Sequence, residues 1–597
     1  MEKEAITGLA RDYIQREQDA AFRAGVEKLL EEAGAHSPEA WKELEDRFYR
    51  KLEFGTGGLR GIIGGGYNRM NTLVVKSATQ GLANYLRKAF PAKSERPAGN
   101  GLSAVIAFDS RHYSHEFAEA AALIFAANGI KTYLFSSMRP TPELSFAIRR
   151  LGADTGIVVT ASHNPPQYNG YKAYWNDGSQ VIAPHDEGII AEVNAVTEIT
   201  EMTRDDALAR GLLVIIDREI DEAYHAMVTG CLFRPALIRE KGGEVKIVYT
   251  PLHGTGAMHV EQVLESLGLK VITVPEQREG NGDFPTVSYP NPEEGAALKL
   301  ALALGREVKA DVVMATDPDA DRLGTAVPDK NGDFALITGN QLGVLLADYI
   351  FLSLKETGNM PEKAAMVNSI VTTGMQKRVA ESYGAACIEC LTGFKWIAAV
   401  MRQCEDAMTY SVVYGTEESY GYLVENEVRD KDGVSAAALT AEMTLYWRSQ
   451  GKSLLDRLDE LYLIHGYWQE LGISKYFQGP EGPAIMKGIM DGYRKNPPAV
   501  LGGIKVIKVR DVQESVWKYP GNPGKKDPVG LPKSDVLQFY LEDGTVISAR
   551  PSGTEPKIKF YATCCAKAGA DGLSGARAEA ARKLDAINRD IRQVIGE

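Results

Sequence analysis

The stretch Thr160-Ala161-Ser162-His163-Asn164-Pro165-Pro166 presents a hydroxyl, Ser162, on backbone stiffened by two prolines. Each proline lacks an N–H and restricts the residue before it. A second stretch, Asp317-Pro318-Asp319-Ala320-Asp321-Arg322, carries three alternating carboxylates. On an extended loop alternate side chains point one way, so Asp317, Asp319 and Asp321 are expected to converge. Crowded hard oxygens repel one another without a cation and suit Mg²⁺. An EF-hand is excluded, because its sixth and twelfth positions hold Arg322 and Pro328 in place of glycine and an acid.

Ser162 beside His163 raises the possibility of a serine hydrolase. Neighbours on an extended segment point apart, which makes His163 a poor base for Ser162, and the G-x-S-x-G elbow is absent. A serine that carries a phosphoryl group fits better. The carboxylates supply a metal site, and Arg322 and Lys172 supply cations for phosphate oxygens. Lys172 follows a turn at Tyr168-Asn169-Gly170 and is expected to face back toward the serine loop. Arg550-Pro551-Ser552-Gly553-Thr554 joins a guanidinium, two hydroxyls and a glycine that exposes backbone N–H groups, a phosphate cradle. Glu417 and Ser419 offer an acceptor and a donor of the kind that read sugar hydroxyls. The glycine-rich stretch 53–61 reads as a loop from which Arg60 can reach an anion, and no Gly-Lys-Ser/Thr follows to make it a Walker A motif.

The elements around these loops alternate. Strand-like runs at 105–108, 132–135 and 156–159, with a helical stretch at 115–128, give βαβ order and a mostly parallel sheet. A second such unit has strands at 245–249, 271–274 and 311–316, and a third at 365–367 and 411–414. Each chemistry-bearing loop follows a strand, where open α/β sheets bind ligands. Residues 1–36 read as one or two charge-rich amphipathic helices. Ser37-Pro38-Glu39 starts another, expected to run to about Leu52. Residues 452–500 read as helices and a linker. Strands at 536–541 and 545–549 flank Glu542-Asp543-Gly544, a hairpin signal, and a helix follows from about Gly572. The last unit is therefore a small α+β domain.

Composition sets the outer bounds. A chain of 597 residues suggests about four domains. A net charge of −12 argues against a general nucleic-acid binder, and no apolar run is long enough for a membrane span. Met1-Glu2-Lys3-Glu4 does not begin a signal peptide, and six cysteines make no disulfide framework, so the cytoplasm is the expected location. Cys387 and Cys390 form one C-x-x-C without a second pair, and read as ordinary thiols.

Taken together, T-A-S-H-N-P, D-P-D-A-D-R, G-T-E-E-S and R-P-S-G-T-E-P resemble, in order, the four signature loops of the α-D-phosphohexomutase family. The resemblance runs from about residue 45 onward. It implies three related α/β domains and a C-terminal α+β domain around a central cleft. The expected divisions are a helical extension at 1–44, domains at 45–205, 206–328 and 329–455, a helical linker at 456–500, and a last domain at 501–597. It implies a catalytic phosphoserine at Ser162, whose phosphate completes a Mg²⁺ site with Asp317, Asp319 and Asp321. Arg60, His163, Lys172 and Arg322 match positions around the transferred phosphoryl. Glu417, Ser419 and Lys431 match the sugar side, and Arg550, Ser552, Gly553 and Thr554 match the clamp on the other phosphate. The G-T-E-E-S loop, without the G-H ending of mannose and glucosamine enzymes, is similar to that of glucose enzymes. This implies conversion of glucose 1-phosphate to glucose 6-phosphate through glucose 1,6-bisphosphate. Pentose or mannose phosphates are alternative substrates, and a metal-dependent phosphatase or a non-catalytic sugar-phosphate binder are the rival readings. The expected partners are small sugar phosphates, with no nucleic acid or membrane, in a monomer or homodimer.

Overall fold

The structure is a computed structural model that describes residues 2–597 except 56, 98–100, 478–480, 523, 553–556 and 570–571. The chain divides into two compact units. One comprises Met1–Thr338 with Ser419–Tyr446, the other Gly339–Glu418 with Trp447–Glu597. Among the described residues, no helix is long and apolar enough to cross a membrane.

The first unit opens with the helices Lys3–Arg16, Ala20–Gly34 and Pro38–Phe48. Asp19 caps the second by accepting from the Ala21 and Phe22 N–H groups, and Ser37 caps the third by accepting from the Ala40 N–H. The third ends at Phe48, short of the expected Leu52, because the Leu52 N–H is already committed to the Tyr67 carbonyl at 2.7 Å. Ile6, Tyr13, Val26, Leu44 and Phe48 pack with Leu73, so the helical extension shares a core with the sheet domain that follows. Tyr13, Phe48 and Tyr67 meet edge to face there.

That domain is built on a sheet with strand order Gly58–Ile62, Tyr168–Trp175, Thr155–Val159, Ser103–Phe108, Lys131–Phe135 and Leu213–Ile216. The last four are parallel and the first two antiparallel. The central strand Thr155–Val159 is wholly buried, as its unbroken apolar run requires. The stretch read as a glycine loop contributes the edge strand Gly58–Ile62 instead. Its glycines serve close strand approach: at Gly58 (φ +140°) a Cβ would lie 1.8 Å from the Tyr171 carbonyl oxygen. A second sheet has the order Phe334–Ile337, Leu323–Pro328, Val312–Thr316, Lys246–Thr250 and Lys270–Thr273, parallel among the last three. In both sheets a buried parallel strand ends, turns through a polar loop, and returns as an antiparallel neighbour. The serine and the aspartates sit on those two turns.

The second unit contains the parallel strands Ala386–Cys390, Ala364–Ser369 and Ser411–Glu417, in that order, with the helices Gly339–Glu356, Met375–Ser382 and Phe394–Ala407. Cys387 and Cys390 are free thiols three positions apart on one strand, hence on opposite faces. The C-terminal sheet is antiparallel, ordered Tyr467–Tyr476, Lys557–Ala566, Val546–Pro551, Leu537–Leu541, Ile504–Asp511, Val516–Lys518 and Lys526–Pro528. The final helix, Leu573–Val594, buries Ala576, Ala580, Leu584, Ile587 and Ile591 in its core. Residues 456–500 are not a helical linker. Tyr467–Tyr476 is a ten-residue edge strand between the helices Leu454–His465 and Gly482–Lys495. Its partner, Lys557–Ala566, lies some ninety residues downstream, and only that pairing gives the strand a reason to form.

Phe48 is 1% exposed where the helical extension meets the first sheet domain. Phe48→Ala should lower stability by about 3–5 kcal/mol, read as a shift of the urea midpoint at constant slope.

Candidate active site

Ser162 ends up in the left-handed region, at φ 51°. A non-glycine residue held there costs about 1–3 kcal/mol, so its surroundings must over-determine it. Its N–H donates to Thr160 Oγ1 at 2.8 Å. The larger constraint is Arg111, whose guanidinium is fully buried. Its Nη2 donates to the carbonyls of Ser162 (2.5 Å) and Asn164, and its Nη1 to those of Pro165 (2.9 Å) and Tyr168 (3.0 Å). Asp109 sits 3.3 Å from Arg111 Nε, and Ser114 donates to it at 2.7 Å. Burial pushes the Asp109 carboxyl up and the Arg111 guanidinium down, though each partner's charge opposes the shift. Sequence reasoning missed both residues. They follow the strand Ser103–Phe108, beside the serine strand and at the same end, so the strand-end rule would have found them.

The left-handed turn also reverses one expectation. The segment is not extended, and His163 Nδ1 lies 3.2 Å from Ser162 Oγ. Burial, then Arg322 and Arg60, hold the His163 imidazole well below its usual pKa.

Ser162 Oγ donates to Asp317 Oδ2 at 2.6 Å, which joins the two loops. The three aspartates converge, but by a turn and not by extended alternation: Ala320 has φ 49°, and its N–H donates to the Asp317 carbonyl. One carboxylate oxygen from each of Asp317, Asp319 and Asp321 lies within 4.8 Å of the others, and all three residues are buried. Lys172 Nζ donates to Asp319 Oδ2 at 2.7 Å and lies 3.6 Å from Asp321. Lys431 Nζ is 3.1 Å from Asp321 and 3.1 Å from Asp430. Thr141 Oγ1 donates to Asp319 at 2.8 Å. Burial and the other two carboxylates push Asp317 well up. Asp319 is lowered: burial raises it, but Lys172, Thr141 and Lys431 together lower it further. Asp319 Oδ1 and Asp321 Oδ1 are buried without a hydrogen-bond partner among the described residues. Buried acceptors in that condition, on three convergent acids, fit a hard divalent cation.

The remaining candidates are placed as follows. Lys172 reaches the aspartates, on the strand that returns from the serine loop. Arg322 Nη1 donates to Glu293 at 2.7 Å, and its Nε lies 3.9 Å from Asp321. Arg60, paired with Gly170 across the edge strand, is near enough to His163 to depress its pKa. Ser419 and Lys431 belong to the first unit and Glu417 to the second, where its neighbour Glu418 accepts from Ser369. Arg550 and Ser552 lie at the end of the strand Val546–Pro551 in the second unit, and Gly553 and Thr554 lie outside the described residues.

A serine-bearing turn thus meets a triad of buried acids at the strand ends of two mixed α/β sheets, and the comparisons with known proteins give this arrangement its class, a phosphotransferase of the phosphohexomutase type. The chain belongs to the phosphoglucomutase/phosphomannomutase family: its α/β/α domains I, II and III match residues 51–200, 222–332 and 338–463, and its C-terminal domain matches 503–580. It is 36% identical over 577 residues to a human phosphopentomutase, covering 93% of this chain and 91% of that one. It is likewise 36% identical over 519 residues to a phosphoglucomutase from Staphylococcus haemolyticus, covering 87% and 91%. In fold it is similar to the solved structure of parafusin, a phosphoglucomutase from Paramecium, with TM-score 0.68 and 18% identity over 92% of this chain and 96% of that one.

Lysine cannot fan out to four carbonyls as Arg111 does. Arg111→Lys should lower mutase kcat about 100-fold by releasing the serine loop. Amide exchange over residues 160–168 should speed up in the same variant.

Proposed function

We propose that the protein moves a phosphoryl group between the two ends of a sugar phosphate, with Ser162 as the carrier and glucose 1-phosphate and glucose 6-phosphate as the substrate pair. The observation that carries the reading is Ser162 Oγ set 2.6 Å from Asp317 within the aspartate triad. With His163 Nδ1 3.2 Å from Ser162 Oγ a base alone does not separate the readings; what favours a phosphoryl carrier is the buried triad of acids, where a metal would supply an electrophilic partner for phosphate oxygens.

In the first half-reaction the phosphoserine P–O bond breaks and a bond forms from phosphorus to the free sugar hydroxyl. The products are Ser162–OH and glucose 1,6-bisphosphate. The bisphosphate turns over and gives its other phosphoryl back to Ser162, leaving the isomeric monophosphate. As Ser162 is rephosphorylated its hydroxyl proton must leave, and Asp317 Oδ2 and His163 Nδ1 are the acceptors in contact with it. Asp317, Asp319, Asp321 and an oxygen of the phosphorylated serine would hold Mg²⁺, which supplies charge stabilisation to the transferring oxygens. Arg60, Lys172 and Arg322 surround the phosphoryl as fixed cations. Glu417, Ser419 and Lys431 are assigned to the sugar, and Arg550, Ser552, Gly553 and Thr554 to the phosphate that is not transferred.

A pentose 1-phosphate is the second reading. It is favoured by the phosphopentomutase at 36% identity, a value equal to that of the phosphoglucomutase. A panel of glucose, mannose and ribose 1-phosphates decides between them. The proposal expects kcat/KM for glucose 1-phosphate to exceed that for ribose 1-phosphate by at least tenfold, about 1.4 kcal/mol of transition-state discrimination.

Ser162→Ala should lower turnover by about 10⁴-fold or more even with bisphosphate supplied. Tryptic mapping of the wild-type protein after incubation with bisphosphate should place the phosphate on the peptide containing Ser162. Full activity in the alanine variant would refute the mechanism. Chelation should abolish turnover, and Mg²⁺ should restore it.

A further inference from the structure

A second buried cluster of potential ligands lies in the first unit, beginning two residues along the helix whose first residue, Thr141, donates to Asp319. Glu143 is in the first turn of the helix Thr141–Leu151. Asp221 and His225 stand one turn apart on the helix Arg218–Gly230, and His259 is on the helix Gly256–Ser266. Glu143 and His259 are both 0% exposed. One ligand atom each from Glu143, Asp221 and His259 lies within 4.8 Å of the others.

The polar atoms of this cluster are incompletely satisfied. His259 Nε2 is 3.0 Å from Glu143 Oε2, yet no hydrogen bond joins them. Both Glu143 oxygens and His259 Nε2 lack a fixed donor or acceptor among the described residues, and Glu143 and Asp221 can be joined only through a proton held between their carboxyls. Native interiors rarely leave one such atom, and here three face one another. The other nitrogen of the ring is engaged, with His259 Nδ1 2.9 Å from His225 Nε2. That contact orients the imidazole and, when Nδ1 donates, leaves the Nε2 lone pair directed at Glu143, the arrangement by which outer residues aim a metal-binding histidine. Asp221 is held by a two-pronged pair to Arg139, at 2.7 and 2.9 Å, and Arg139 also reaches Asp217 at 3.3 Å. Arg139 Nε stays 3.8 Å from Glu143, too far to satisfy it.

We propose that Glu143, Asp221 and His259 bind a second divalent cation, a first-row transition metal of the zinc type, separate from the cation of the aspartate triad. One imidazole with two carboxylates is a donor set that zinc accepts and that Mg²⁺, a hard ion preferring oxygen, does not favour. The ion would fasten three helices together: one lies within the serine domain, between the strands Lys131–Phe135 and Thr155–Val159, one bridges the two sheet domains in sequence, and one belongs to the aspartate-domain sheet.

The test uses the full chain. Protein grown with zinc and passed through gel filtration in Mg²⁺ buffer should retain stoichiometric zinc by elemental analysis. Crystals should show an anomalous peak at the zinc edge among Glu143, Asp221 and His259. Zinc added to chelator-stripped protein should raise Tm, and Mg²⁺ alone should not reproduce the rise. His259→Ala and Glu143→Gln should lose the zinc. Because either variant could fail to fold, Asp319→Asn is the companion measurement, and it should keep the zinc. Zinc-free protein whose Tm does not respond to zinc would overturn the proposal, leaving a proton shared among the acids as what holds the cluster. Loss of zinc in Asp319→Asn would overturn it as well, by assigning the ion to the triad.

Discussion

Three carboxylates placed together out of water set the terms for everything around them. All three of Asp317, Asp319 and Asp321 are buried with a carboxylate oxygen of each within 4.8 Å of the others, and burial and the neighbouring carboxylates push Asp317 well up. The fold answers by bringing donors from separate elements to one spot. Lys172 comes from the strand after the serine loop, Thr141 from the start of a helix, Lys431 from residues that rejoin the unit late, and Ser162 from its own turn. Among the described residues these donors still leave two carboxylate oxygens, Asp319 Oδ1 and Asp321 Oδ1, without a hydrogen bond. The shortfall marks where a cation would fit, on the same carboxylates whose charge draws the loops together.

Positioning depends on backbone that gives little. The serine turn and the aspartate turn each contain a non-glycine residue at positive φ, and each is buried against close backbone neighbours. At Gly433 a Cβ would lie 2.7 Å from the Ala320 carbonyl oxygen, and at Gly254 it would lie 2.3 Å from Pro318 Cα. The aspartate turn is thus gripped from two sides by chain that only glycine allows so near. Arg111 does the equivalent for the serine turn through carbonyls, which needs a residue with several donors in a fixed plane.

Much of this was legible in the residues. Ser162 after an unbroken apolar run, the acid alternation after another, and the serine cap at residue 37 all sit where their local chemistry requires. Local chemistry failed where a distant partner decides. Tyr467–Tyr476 takes its conformation from a strand ninety residues on, and Gly58–Ile62 takes its own from Tyr168–Trp175. The nearness of His163 to Ser162 depends on one left-handed residue that the sequence does not announce. Arg111 lies fifty-one positions before the serine it holds, so only the order of strands in the sheet connects them.

The first unit is discontinuous in the chain, and this affects how it is made. Residues up to Thr338 include the serine, all three aspartates and both sheets, but Lys431 and the backbone that pairs with the aspartate turn arrive only with residues 419–446. During synthesis the ribosome must release some eighty residues of the other unit before the first can be completed. In that interval the acid cluster lacks one of its two lysines, and the nascent protein is a near-complete domain with an uncompensated charge at its centre. Vectorial synthesis therefore delays the final closure of this unit until most of the polypeptide exists, which ties the appearance of a finished reaction centre to the late stages of translation.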